Sequence, residues 1–136
     1  MRVLLAGATG YIGQAVLREL AEHRHDIVAL VRPGRTVSDD VTGPIAVIEI
    51  EITPHADWTL DLPETDAVIS CLASRSGAPD DARHVEFEAN RSLLEYAERV
   101  DAQHFVLLSA ICVQIPRLAF QREKLRFEAL LEASKV

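Results

Sequence analysis

Two side chains able to carry charge or a proton, Ser109 and Lys124, frame the most informative stretch of the chain. Val106-Leu107-Leu108-Ser109-Ala110-Ile111-Cys112 is an apolar run with a serine at the end of its strand. Val113-Gln114-Ile115-Pro116 then leads to a helix carrying Phe120-Gln121-Arg122-Glu123-Lys124. A hydroxyl at a strand end and an ammonium on the following helix can both face a ligand bound where strands terminate. One helical turn before Lys124 stands Phe120, whose ring has no proton to donate. Ser109 reads either as a contact to such a ligand or as a plain strand-end serine. Lys124 reads either as a charge beside the site or as a solvated helix lysine. His104, just before the strand, suits a surface or packing role.

A second constellation lies near the N-terminus, in Gly7-Ala8-Thr9-Gly10-Tyr11-Ile12-Gly13. The G-x-x-G-x-x-G spacing between a strand and a helix is a variant of the dinucleotide fingerprint. The first glycine allows a tight turn, the second lets a pyrophosphate approach the backbone, and the third packs helix on strand. Gly7, Thr9, Gly10, Tyr11, Ile12 and Gly13 are therefore the predicted phosphate cradle, aided by free N–H groups and the positive helix end. The competing reading is a purely structural glycine turn.

The next strand ends in Leu30-Val31-Arg32-Pro33-Gly34-Arg35-Thr36. An acid at that place would serve the ribose hydroxyls of NAD. Arg32 and Arg35, with Thr36, instead suit the 2′-phosphate of NADPH, which a guanidinium can bind as a fork. An exposed basic loop is the alternative. Cys71, Leu72, Ala73 and Ser74, which follow the fourth strand, are predicted to wall the cofactor site. Asn90, near the start of the next helix, is expected either to tie that helix to neighbouring backbone or to act in the site.

The elements that must position these groups alternate. Short apolar runs at Val3–Ala6, Ile27–Val31, Ile45–Ile50, Ala67–Cys71 and Phe105–Leu108 read as buried strands. Helical spacing marks 11–23 (Ile12, Val16, Leu20), 86–100 (Leu93, Ala97, Val100) and 117–133, with Pro116 suited to a first helical turn. The acidic alternation of Glu49 and Glu51 suggests a strand leaving the sheet rather than a site. The Pro-rich link 53–65 is expected to hold at most a short helix, and Asp39-Asp40 and Asp80-Asp81 to face solvent in loops. Repeated β-α-β units imply an α/β, doubly wound parallel sheet (Rossmann-like), with ligands at the strand carboxyl ends where strand order switches.

The chain has 136 residues, 49% hydrophobic and 26% charged, with a net charge of −7. This suits one domain spanning 1–136, large enough to bury roughly two-thirds of its unfolded surface. The negative charge argues against nucleic acid as a partner. No apolar run of about 18 residues exists to span a membrane. Cys71 and Cys112 read as buried thiols of a reducing compartment. Met1-Arg2 enters a strand at once, leaving no room for a signal sequence and suggesting a cytoplasmic chain, or one in the plastid stroma after removal of a transit peptide.

The glycine loop resembles the atypical, extended branch of the short-chain dehydrogenase/reductases. Ser70-Cys71-Leu72-Ala73-Ser74-Arg75, the block from His104 to Gln114, and Leu118-Ala119-Phe120-Gln121-Arg122-Glu123-Lys124-Leu125-Arg126-Phe127-Glu128 more specifically resemble the divinyl chlorophyllide 8-vinyl reductase family. The block His104 to Glu128 discriminates best. The resemblance implies NADPH-dependent reduction of the 8-vinyl group of a divinyl tetrapyrrole to ethyl in chlorophyll or bacteriochlorophyll synthesis, with no flavin and no metal. It also implies that Lys124 and Ser109 are the catalytic-site positions, with Lys124 reaching the nicotinamide ribose. Where the superfamily commonly has Tyr-x-x-x-Lys, this chain has Phe120 and Lys124. That sends the search for a proton donor elsewhere, and the chain is expected to be an N-terminal fragment that lacks its C-terminal strands and substrate region and is inactive alone. Three other readings stay open: an NmrA-like NADP sensor, a different atypical short-chain reductase, and an assembly subunit that keeps the cofactor for stability.

Overall fold

The computed structural model describes residues 1–53, 56–59 and 61–136. Five parallel strands, β1 (Arg2–Ala6), β2 (Asp26–Val31), β3 (Ile45–Glu49), β4 (Ala67–Ser70) and β5 (His104–Leu107), form one sheet in the order β3-β2-β1-β4-β5. From β1 the chain runs outward to β3, then returns to the other side of β1 to place β4. The strand order therefore reverses between β1 and β4, which opens a crevice above their carboxyl ends.

The sheet is buried on both faces because β1 and β2 are apolar at every inner position. Leu4, Ala6, Val28, Leu30 and Val68 face α3 (Asn90–Arg99), packing on Leu93, Tyr96 and Ala97. Leu5, Ile27, Ala29 and Val31 face the opposite side, where Leu17 of α1 (Tyr11–Glu22) covers them. Period-two alternation in the strands thus feeds two separate cores. A third cluster joins Phe87, Leu94 and Phe127, the last on α4 (Ala119–Glu132), and Phe105 of β5 meets Phe127 with ring centroids 5.7 Å apart.

Several details differ from the sequence expectations. Helix α1 turns Gly13 and Leu17 inward, while Ile12 is 47% exposed. The helix expected over 86–100 starts earlier, with α2 (Pro79–Ala82), and passes through a π-helical segment, Arg83–Ala89, before α3. Pro79, not an apolar period, sets its start. Asp80 and Asp81 consequently lie in the first helical turn rather than in a loop. Pro116 precedes α4 by three residues instead of lying in its first turn, because Gln121 binds back to the chain around Leu118. Cys71 is buried, but Cys112 is exposed in a left-handed turn (φ 61°) that swings its side chain away from the core.

Strand β3 is a half-exposed edge, which explains its acidic alternation: Glu49 reaches across to accept a hydrogen bond from the Gly34 N–H at 3.2 Å. The link after β3 holds one 3₁₀ turn, Ala56–Thr59. Tyr96 anchors this link by donating to the Pro63 carbonyl at 2.6 Å and sharing a hydrogen bond with the Thr65 hydroxyl. The rest of the predicted link, at Pro54, His55 and Leu60, lies outside the described residues.

Candidate active site

The crevice at the strand-order reversal is a cleft of about 440 Å³. The glycine loop forms its floor, and the loop's shape depends on absent side chains. Gly7 has φ 81°, and a Cβ there would lie 2.7 Å from the Cys71 carbonyl oxygen. A Cβ at Gly13 would fall 2.0 Å from the Gly7 carbonyl oxygen. The N-terminal turn of α1 is thereby pressed against the end of β1. Gln14 steadies it by donating to the Thr9 carbonyl at 3.2 Å.

Eight of the thirteen predicted cofactor-binding residues line this cleft: Gly7, Thr9, Gly10, Arg32, Cys71, Leu72, Ala73 and Ser74. Arg32 stands at the end of β2 and Glu51 just past β3, so the far end of the cleft carries both signs. Gly13 is buried beneath the loop rather than in its wall. Tyr11 is 95% exposed, and Ile12 points to solvent beside it. Arg35 and Thr36 are exposed in the turn after β2, where the Arg35 N–H closes onto the Arg32 carbonyl at 2.9 Å.

The remaining wall comes from the π segment, through His84, Val85 and Ala89. A π turn lengthens the hydrogen-bond reach by one residue, from i→i+4 to i→i+5. Asn90, fully buried, ties onto this segment: its amide nitrogen donates to Val85 O at 3.2 Å and Glu86 O at 2.9 Å. Its carbonyl oxygen accepts from the Ser70 hydroxyl at 2.5 Å, fixing the end of β4. Of the two sequence readings of Asn90, the structural tie is therefore realised.

Lys124 is 3% exposed. Its ammonium donates to the carbonyls of Leu72 at 3.1 Å and Leu108 at 3.0 Å and lies 2.6 Å from Glu86 Oε2. The contact to Glu86 is an ion pair without the angle of a hydrogen bond. Held by two carbonyls and the Glu86 carboxylate, Lys124 braces the back of the cleft wall and does not line the cleft. Glu86 Oε1 accepts from the Ser74 N–H at 2.7 Å and its hydroxyl at 2.8 Å. Burial pushes the nearby Cys71 thiol above its ordinary value, an effect the Lys124 charge partly offsets. Ser109 is exposed beyond β5 and bonds to Glu128. Phe120 is half-buried on α4, and Gln121, Lys124 and Phe127 form its inward face.

Glu86, Asp81, His84 and Glu51 belong to this neighbourhood but do not stand out by motif. The signal for Glu86 is periodic: Glu86, Asn90, Leu93 and Ala97 share one buried helical face, so a carboxylate there needs a partner. Asp81 accepts from the N–H and hydroxyl of Ser76 and the N–H of Arg75, which hold its carboxyl below the usual range. Among the described residues, no three His, Cys, Asp or Glu side chains converge as metal ligands would. No helix among them is long and apolar enough to cross a membrane.

The profile of the NAD(P)H-binding family matches residues 7–136. The chain is 44% identical over 142 residues to a chloroplastic divinyl chlorophyllide a 8-vinyl-reductase from Oryza sativa subsp. indica, a match covering 96% of this chain and 35% of the rice protein. The chain thus spans about a third of the length of the curated reductases it matches. It is 26% identical over 111 residues to the photosystem II assembly factor Ycf39 of Synechocystis, covering 82% of this chain and 34% of that one. Among solved structures, the Bordetella bronchiseptica enzyme WbmG in complex with NAD superposes with a TM-score of 0.80 at 19% identity, covering all of this chain and 50% of WbmG. That likeness is one of fold.

Proposed function

The chain belongs to the NAD(P)H-binding family, and on that premise we propose that it serves in the NADPH-dependent reduction of the 8-vinyl group of a divinyl chlorophyllide to ethyl. The observation that carries the reading is the 44% identity to the rice reductase along almost the whole chain, glycine loop and Lys124 helix included. The site fits a dinucleotide. The Gly7–Gly13 loop can hold its tight shape only because Gly7 and Gly13 carry no Cβ to strike backbone, and the cleft beside it lies at the switch in strand order.

In this reading the free N–H groups of the loop hold the pyrophosphate at the start of α1. Arg32 meets the 2′-phosphate, selecting NADPH over NADH, and Arg35 and Thr36 extend that patch by a movement of their exposed turn. Leu72, Ala73 and Ser74 support the nicotinamide half. Bound NADPH supplies the hydride. Phe120 has no proton to give, so the acid that completes the ethyl group is another residue or water. Ser109, at the open end of β5, contacts the tetrapyrrole, and Lys124 acts from behind the wall through its charge and its hold on Leu72. The setting is a cell or plastid that makes chlorophyll or bacteriochlorophyll.

A second reading is favoured by Phe120 and by the burial of Lys124 between two carbonyls and the Glu86 carboxylate. It is a cofactor-bearing sensor or assembly module without turnover, in keeping with the 26% identity to Ycf39. Incubating the intact protein with NADPH and divinyl chlorophyllide separates the two. A blue shift of the Soret band as vinyl becomes ethyl supports the reductase. NADPH binding with no shift supports the module.

A further inference from the structure

We propose that Glu86 is a positioning residue for the dinucleotide: paired with Lys124 behind the cleft, it sets the conformation of the wall at Leu72–Ser74. This rests on the reading that the cleft holds the dinucleotide and is independent of the vinyl group as substrate.

The buried contacts converge on one short segment. Leu72 and Ser74 both line the cleft. Behind them, Leu72 O accepts from Lys124 Nζ at 3.1 Å, and Ser74 gives both its N–H and its hydroxyl to Glu86 Oε1 at 2.7 and 2.8 Å. The two anchors are locked together by the 2.6 Å ion pair between Lys124 and Glu86 Oε2. Side-chain exposures of 4% and 2% leave neither charge to water. A residue pair this dry is expensive unless its contacts are nearly complete. Here the contacts go to the backbone of a loop that has no ladder of its own: after β4 ends at Ser70, the segment Leu72–Ser74 is outside regular secondary structure. Its carbonyl and amide directions are therefore imposed from α4 and the π segment.

The π segment explains how the carboxylate gets there. Asn90 holds the carbonyls of Val85 and Glu86, fixing the register of the turn in which Glu86 faces inward. A neutral replacement of similar shape tests the charge rather than the volume. In Glu86→Gln, whichever way the amide turns, its NH₂ group faces the donors of either Lys124 or Ser74, so one anchor is lost. Loss of one charge-assisted hydrogen bond to the wall is enough to shift its conformational preference about tenfold or more.

The test is titration of the intact protein with NADPH and NADH, followed by cofactor fluorescence, for wild type, Glu86→Gln and the double variant Glu86→Gln/Lys124→Met. We expect Glu86→Gln to weaken binding of the preferred cofactor about tenfold. The double variant buries no unpaired charge, so it melts above Glu86→Gln while its binding stays about tenfold weak. In turnover by Glu86→Gln, which keeps Lys124, KM for the cofactor rises while kcat at saturation stays within about threefold, a split that general destabilisation would not produce. Should Glu86→Gln not fold, the double variant decides alone. Affinities within about twofold of wild type in the folded variants overturn the positioning role and leave the cofactor site standing. A wild-type protein that binds neither cofactor overturns both.

Discussion

Replacing Asn90 with alanine should be among the costliest single changes in the chain that touch no ligand. Its side chain is fully buried and makes three hydrogen bonds: one from the Ser70 hydroxyl and two to the carbonyls of Val85 and Glu86. Truncation leaves a buried hydroxyl without its acceptor and removes a side-chain donor from two carbonyls of the π segment. At about 1 kcal/mol net for each bond, with a small cavity added, the loss is about 3–4 kcal/mol. Unfolding entropy of about 2.1 cal/mol/K per residue gives a 136-residue chain about 0.29 kcal/mol/K, so Tm should fall by about 10–14 °C. Asn90→Asp should be no milder at pH 7. It keeps an acceptor for Ser70 but points an anionic oxygen at two carbonyls. Thermal and urea unfolding of the three proteins, followed by circular dichroism, measures this. A loss below about 1 kcal/mol for Asn90→Ala would show that the π segment keeps its register without the amide, and the account of how Glu86 is aimed would fall with it.

Arg32→Asp should weaken NADPH binding on the order of 10–100-fold while NADH affinity changes less than about threefold, since a charge-assisted fork to phosphate contributes about 1.5–3 kcal/mol; an unchanged preference in titrations with both cofactors removes Arg32 from the 2′-phosphate. Gly13→Ala should lower stability by about 1–3 kcal/mol and abolish cofactor binding, because its Cβ would sit 2.0 Å from the Gly7 carbonyl oxygen; a variant that binds and melts like wild type would contradict the packing of α1 on the loop. Asp81 has its carboxyl held below the ordinary value by Ser76 and Arg75. Its contribution is therefore present above the unfolded value and lost as pH falls through the folded one, in the region below about pH 4. Asp81→Asn should accordingly lower protection of the Ser76 amide against hydrogen exchange at pH 7, by a margin that narrows as pH falls below about 4, and protection equal to wild type at pH 7 would refute the capping role.

The sheet was legible in the sequence because its inner strands are near-continuous apolar runs, which leaves a parallel strand buried on both faces as the natural assignment. The glycine loop was legible for a related reason. Gly7 and Gly13 stand where any side chain would strike backbone, and that demand shows in spacing alone. Arg32, Cys71, Leu72, Ala73 and Ser74 followed from their places at strand ends. Tertiary pairing was not legible in the same way. Nothing local to Lys124 says that Glu86, 38 positions earlier, turns inward to meet it, because the π segment that aims Glu86 depends on Asn90 contacting β4. Cys112 was misread because an apolar run was extended through a residue that adopts a left-handed turn. Asp81 was misread because Pro79, rather than hydrophobic periodicity, starts its helix.

The central claim is that this fold delivers a hydride to the 8-vinyl group, and isotope transfer tests it most directly. The intact protein is incubated with divinyl chlorophyllide and, in parallel, NADPH deuterated at either face of the nicotinamide C4. The account predicts an ethyl product one mass unit heavier with one of the two labelled cofactors, the second hydrogen coming from solvent. Conversion without label from either cofactor, or no conversion although NADPH is bound, would contradict it.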